Sequence, residues 1–397
     1  VEKFLTFIDI LNIYLDEGQV NDFIKNNNSN ISTLSISNEV SLLDPQFNIN
    51  RRIQIENLIT LTEKELPKVK IVDLFLYLAK QSINIGLYGL AEDILDLLIR
   101  KIEKIEKLKD YLATAYFTYG EIFFRQGYWK KAESTLFKAK KIFHAEKNRT
   151  GVFKCDNLLS AILGEKGDLN KALKNFQKTL QSVDPKKEKY LYSMIESNIG
   201  ILYQAVHSFD ESIAYLNRAL IYFSQINDQI RVAELKYNVA NLYYMKKDYM
   251  LAVARLDDAI SASLEAENLT SLCLCYITKA DSLLNLNDIT MANAIIDLAM
   301  VISCKINDRL SIAEVYKIKG KIELALKNYD YAENLLLTSF RLNTDLQNKY
   351  NLAETCQALS RLYKIKKNSK ESARYQILAL LYFNEIQMKP FSNKIIE

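Results

Sequence analysis

Apolar residues along this chain come in small and bulky kinds that return at a fixed distance of forty. Counting from Gly120 gives Ser160, Gly200, Ala240, Ala280, Gly320 and Ser360, all small. From Ala132 the series is Ala172, Ser212, Ala252, Ala292, Ala332 and Ser372. From Ala139 it is Thr179, Ala219, Ala259, Ala299, Ser339 and Ala379. A bulky series runs between them through Leu136, Phe176, Leu216, Leu256, Ile296 and Leu336 before breaking at Gln376. Another starts at Trp129 and passes through Leu169, Phe209, Tyr249, Ile289 and Tyr329 before breaking at Ser369.

The local spacing is helical. Ala132, Leu136, Ala139 and Phe143 share one face of a helix. Small side chains let two antiparallel helices approach closely, and bulky ones fill the remaining space. Each unit therefore reads as a helical hairpin turning at stretches such as RQGYW (125–129), EKGDL (165–169) and MKKDY (245–249). One hairpin cannot bury its apolar face alone, whereas stacked hairpins share a continuous core.

This pattern resembles the tetratricopeptide repeat. In the unit at 113–152 the resemblance is carried by Tyr116, Gly120, Phe123, Trp129, Ala132, Leu136 and Ala139. The usual repeat has ~34 residues; the longer repeat here is similar to kinesin light chain arrays, bacterial peptide-pheromone receptors and the helical sensor domains of some bacterial transcription activators. The resemblance implies an all-α fold, a right-handed superhelical array of antiparallel helix hairpins with seven to eight repeats over 71–388. The eighth lies upstream, with Ala79, Ala91, Leu95 and Leu98 one residue off the register. Polar Ser369 and Gln376 suit a terminal capping repeat.

Residues 1–70 are expected to form an N-terminal helical cap, with helices at 2–16 and 50–65 and a polar loop at 25–38. Residues 389–397 read as a C-terminal tail. Val1 in place of a methionine leaves room for an upstream segment.

Composition supports helices and removes some chemistry. The chain has 397 residues but only 10 Gly and 4 Pro, none of the Pro between Pro185 and Pro390. A net charge of +4 offers no electrostatic basis for nucleic-acid binding. No apolar run spans a bilayer and no secretion signal is evident, so a cytoplasmic location is expected. The five cysteines fit neither a zinc nor a disulfide pattern and read as buried thiols. His144 and His207 read as solvated residues without catalytic partners. The charge-alternating run KIEKIEKLKD (101–110) reads as the solvated face of a helix. No phosphate loop, metal motif or nucleophile elbow occurs, so no enzyme activity and no cofactor are expected.

What remains is a surface. The resemblance implies a concave groove lined by the first helix of each hairpin, holding an extended peptide or a partner's segment. Projected onto this chain, the groove positions include Phe117, Phe124, Asn157, Met194, Tyr237, Asn241, Tyr244, Lys317, Lys321 and Arg361. The same register includes Arg125, Gln204, Glu234, Asp281, Glu314 and Glu354. Asn198 and Asn238 stand two residues before the small Gly200 and Ala240. In peptide-binding relatives an Asn there holds the ligand's main chain; it can equally bond the neighbouring repeat. The expected function is a non-catalytic scaffold or adaptor. The alternatives are a peptide-sensing regulator of the pheromone-receptor type and the repeat domain of a larger signalling protein. A homodimer is compatible with either.

Overall fold

The computed structural model describes residues 12–26, 45–84 and 86–385. Most of the expected helix at 2–16, the expected loop beyond Asn26 and the tail at 389–397 lie outside these residues. All regular structure among the described residues is helical, in the antiparallel hairpins of an all-α repeat array.

The chain divides into two compact units. The first takes residues up to 122 together with 134–152; the second takes 123–133 and the chain from 153 onward.

In the first unit, α1 (Glu17–Asn26), α2 (Pro45–Glu65), α3 (Lys68–Asn84) and α4 (Tyr88–Ile102) come in sequence. Ile55, Leu58 and Ile59 of α2 share one core with Leu74, Phe75 and Leu78 of α3 and Leu95 and Leu98 of α4. Ala79 and Ala91 are completely buried, as their place in the small series requires. The charged run at 101–110 is not one helix. It ends α4 at Ile102, makes a 3-10 turn at Glu106–Leu108 and starts α5 (Lys109–Arg125). The bend buries Leu108, and Ile105 packs partly beneath it. From the start of α4 to the start of α5 the chain advances 21 residues (109 − 88), against 20 for the next pair (149 − 129). The one-residue displacement of the upstream repeat is thus absorbed in this connection. Helices α5 and α6 (Trp129–Ala145) have residues in both units.

The second unit continues through α7 (Arg149–Glu165), α8 (Leu169–Ser182), α9 (Lys189–Ala205), α10 (Phe209–Gln225), α11 (Gln229–Met245) and α12 (Tyr249–Glu265). It ends with α13 (Leu269–Asn285), α14 (Ile289–Lys305), α15 (Arg309–Ala325), α16 (Tyr329–Leu346), α17 (Lys349–Ile365) and α18 (Ser369–Glu385). The small and bulky registers meet inside these hairpins. Ala240, Ala252, Ala259 and Leu256 are all fully buried. A Cβ on Gly320 would fall 2.7 Å from Cγ of Leu336, and one on Gly200 would fall 2.9 Å from Cγ of Leu216. The residue kind is therefore set by helix separation. In the last hairpin the hydroxyls do the same work: Ser360 Oγ donates to the Ser372 carbonyl at 2.9 Å, and Ser372 Oγ to the Ser360 carbonyl at 3.0 Å.

A finer period of twenty underlies the forty. Positive φ recurs at His207, Asn227, Lys247, Glu267, Asn287, Asn307, Lys327, Gln347 and Lys367. At Lys247 its N–H reaches the Tyr244 carbonyl at 2.9 Å, and the Asp248 N–H reaches the Tyr243 carbonyl at 3.0 Å. This pairing closes a helix whose following residue is left-handed. The Asp248 carboxylate then accepts from the Leu251 N–H at 3.2 Å and starts α12. Asp228, Asn268, Asp288, Asp308, Asn348 and Asn368 cap their helices in the same way.

Four of the five cysteines are buried, as expected; Cys304 is exposed, because it faces outward on α14.

Candidate functional site

The first helices α9, α11, α13, α15 and α17 pack against one another in series. Their facing side chains form a polar ribbon with at least one link between each neighbouring pair. It begins where Asn198 on α9 donates from Nδ2 to Oδ1 of Asn157 on α7, at 3.0 Å. Gln204 Nε2 then reaches the main-chain carbonyl of Asn238 on α11 at 3.3 Å. Tyr237 and Thr278 place their hydroxyls 3.5 Å apart between α11 and α13. Tyr244 donates to Oδ2 of Asp281 at 2.6 Å, and Lys321 of α15 pairs with Oδ1 of the same carboxylate at 2.5 Å. Lys317 of α15 pairs with Glu314 at 2.7 Å and with Glu354 of α17.

The ribbon grows more charged toward the C-terminal repeats. Lys317 is only 2% exposed. Burial alone would weaken its ammonium, but the Glu314 and Glu354 carboxylates more than offset this and hold the proton well above the usual lysine range. Glu314 shows the opposite balance: burial raises its carboxyl pKa, and Lys317 only partly opposes the rise. Burial likewise raises the Tyr237, Tyr244 and Tyr350 phenols, so these rings are neutral donors at physiological pH.

A second charged group lies at the end of α5. Glu234 of α11 takes Arg231 at 2.6 Å and Arg125 at 3.5 Å.

The expected groove residues separate into two groups. Asn157, Asn198, Tyr237, Tyr244, Lys317 and Lys321 belong to the ribbon, and their polar atoms link neighbouring helices. Asn238 enters it through its carbonyl, while its side chain is half-buried. Asn241 and Met194 are half-buried on the same two helices, α11 and α9. Phe124, in the second unit, is half-buried; Arg361 is exposed near the end of α17. Phe117 lies in the first unit and is half-buried there. Thr278, Arg231 and Tyr350 escaped the sequence reading. The available signal was spacing: Tyr237 and Thr278 are 41 residues apart, as are Asn157 and Asn198.

Among the described residues no group of three His, Cys, Asp or Glu side chains is placed to hold a metal ion, and no helix is long and apolar enough to cross a membrane.

No family model and no curated protein sequence matches this chain. Solved structures share its fold. A Rap protein complexed with Competence and Sporulation Factor aligns over 94% of this chain and 98% of its own, at 13% identity and TM-score 0.64. The Rap conjugation gene regulator of plasmid pLS20, in complex with a Phr peptide, aligns over 88% of this chain and 99% of its own, at 13% identity and TM-score 0.57. Aspartyl phosphate phosphatase F from Bacillus subtilis aligns over 96% and 97%, at 15% identity and TM-score 0.55. At these identities the likeness is one of fold: a tetratricopeptide-type helical repeat.

Proposed function

We propose that this chain is a non-catalytic, peptide-binding regulator that holds an extended peptide along the first helices of its second unit. The observation that carries this reading is the side-chain chemistry beside the ribbon. Half-buried Asn238 and Asn241 lie on one helix with Tyr237 and Tyr244, whose hydroxyls are already engaged by Thr278 and Asp281. Rings fixed in this way supply contact area at little entropic cost, and carboxamides pair with any peptide main chain through one donor and one acceptor group. A peptide spanning several repeats would touch α9, α11 and α13 together and so bias the packing between them. Peptide capture by a protein of the same fold, the pLS20 regulator, supports the choice of ligand class.

The reading includes a cytoplasmic location, a peptide or protein segment as the only ligand, and no cofactor. The test is retention of a randomised synthetic peptide pool on the immobilised chain, read by mass spectrometry. The reading expects a subset of peptides to be held by the wild type and released by Asn238→Ala/Asn241→Ala. Identical retention profiles for the two proteins would remove it.

A further inference from the structure

In a simple solenoid each repeat touches only its neighbours. The second unit does not obey this. A Cβ placed on Gly127, in the turn after α5, would lie 3.0 Å from Cδ2 of Leu346 and 3.3 Å from Cγ of Leu310. Beside it the Arg309 guanidinium sits 5.5 Å from the centre of the Tyr128 ring, steadied by Asp345 at 3.8 Å. Tyr350 and Phe383, from the last repeat, pack against the cluster of Leu169, Phe176 and Val206. Both contacts join the beginning of the unit to its end.

Burial along the hairpin turns is deeper at the start of the unit than further along it. Phe209, Tyr249, Ile289 and Tyr329 hold equivalent positions and are half-buried. Trp129 and Leu169, at the same position in the first two turns of the unit, are each only 4% exposed. The cover is imperfect. Gln126 Oε1 and Trp129 Nε1 are buried without a hydrogen-bond partner among the described residues. Water would satisfy both if the turn were released, so the closed form carries a cost that opening removes.

We propose that the turn Gln126–Trp129 and the segments around Arg309 and Leu346 form a releasable clasp. It holds the second unit closed on itself and can open without unfolding a repeat. Gly127 suits this role in two ways: its φ is +75°, and a side chain there would press against Leu346 and Leu310. The bonds inside each hairpin are untouched by opening, because every clasp contact is made between distant repeats. If the peptide-binding reading is right, opening would also free Arg125 from Glu234 and so change which ligands the inner face admits.

Trp129 is the only tryptophan in the chain, so its fluorescence reports on the clasp directly. The test uses the full chain without ligand, as wild type and as Arg309→Ala/Leu346→Ala. Acrylamide quenching of Trp129 should increase several-fold in the variant and its emission should move to the red. The radius of gyration in solution should rise, while the helical circular dichroism stays unchanged. Two results overturn the proposal. Trp129 as shielded in the variant as in the wild type would mean that these contacts do not cover the turn. Loss of helical signal together with the tryptophan change would mean that they belong to the folding core rather than to a clasp.

Discussion

Asn198 donates to Asn157 across neighbouring first helices at 3.0 Å, and Asn157 is only 6% exposed. This bond spends on the array a carboxamide that sequence reasoning offered to a ligand. Asn198→Ala would leave the Asn157 oxygen buried and short of a donor, a loss of ~1–2 kcal/mol. Asn238→Ala removes a half-buried side chain but keeps the carbonyl that Gln204 uses, so its cost should stay within ~0.5 kcal/mol. Urea titration of the two variants checks the split. Equal destabilisation would contradict it.

Gly320 stands where its helix passes closest to Leu336, with 2.7 Å from a would-be Cβ to Cγ. Gly→Ala inside an exposed helix normally stabilises by ~1 kcal/mol. Here the contact reverses the sign, and Gly320→Ala should destabilise by ~1–3 kcal/mol through overpacking. Ala252→Leu, at a fully buried member of the small register, should do the same. A raised melting midpoint for either variant would mean that the hairpins are farther apart than described.

Lys317 neutralises two partly buried carboxylates, Glu314 and Glu354. Lys317→Met keeps the bulk but leaves those carboxylates uncompensated, at a cost of ~3–5 kcal/mol near neutral pH. The pH dependence follows from Glu314, whose carboxyl pKa is raised in the folded protein from its ordinary 4.5. Above 4.5 the folded state binds more protons than the unfolded one, so stability falls as pH rises through this range. Removing Lys317 enlarges that effect. The gap in melting midpoint between variant and wild type should narrow as the buffer is taken from about pH 7 to about pH 5. A gap that stays constant would place the carboxylates in solvent.

Cys155, Cys273, Cys275 and Cys356 are buried, and burial pushes the last three up to about 12. Thiolate is the reacting form, so these groups should be inert in the folded chain near pH 8. Cys304 alone should react with a thiol reagent under native conditions, and all five should react after unfolding. More than one rapid equivalent in the folded protein would contradict the packing around Cys273 or Cys356.

Much of the fold was legible because close packing leaves a mark in residue size. Gly200, Ala240, Ala252 and Gly320 are small for a reason that returns every forty residues, and no other arrangement of those positions would need it. The half-repeat was equally present, as Asp228, Asp248, Asn268, Asp288 and Asp308, every twenty residues. It escaped notice because capping is a polar signal, and because the left-handed turns carry Lys247, Glu267 or Asn287 rather than glycine. The site was legible only as a register. Which carboxamide serves the array and which is left to a ligand in the proposed function depends on where the side chain points. Asn198 and Asn238 stand at the same place in adjacent repeats, yet only Asn198 has an asparagine opposite it in the preceding helix. The clasp was not legible at all, since contacts between distant repeats have no period to reveal them.

The account rests most heavily on a peptide lying along α11. The direct measurement is the affinity of one retained pool peptide, synthesised and labelled, for the wild type and for Asn238→Ala/Asn241→Ala by fluorescence anisotropy. Two lost main-chain hydrogen bonds should weaken binding by about tenfold or more at an unchanged melting midpoint. Equal affinity for the two proteins would contradict the account and move the binding surface away from the ribbon.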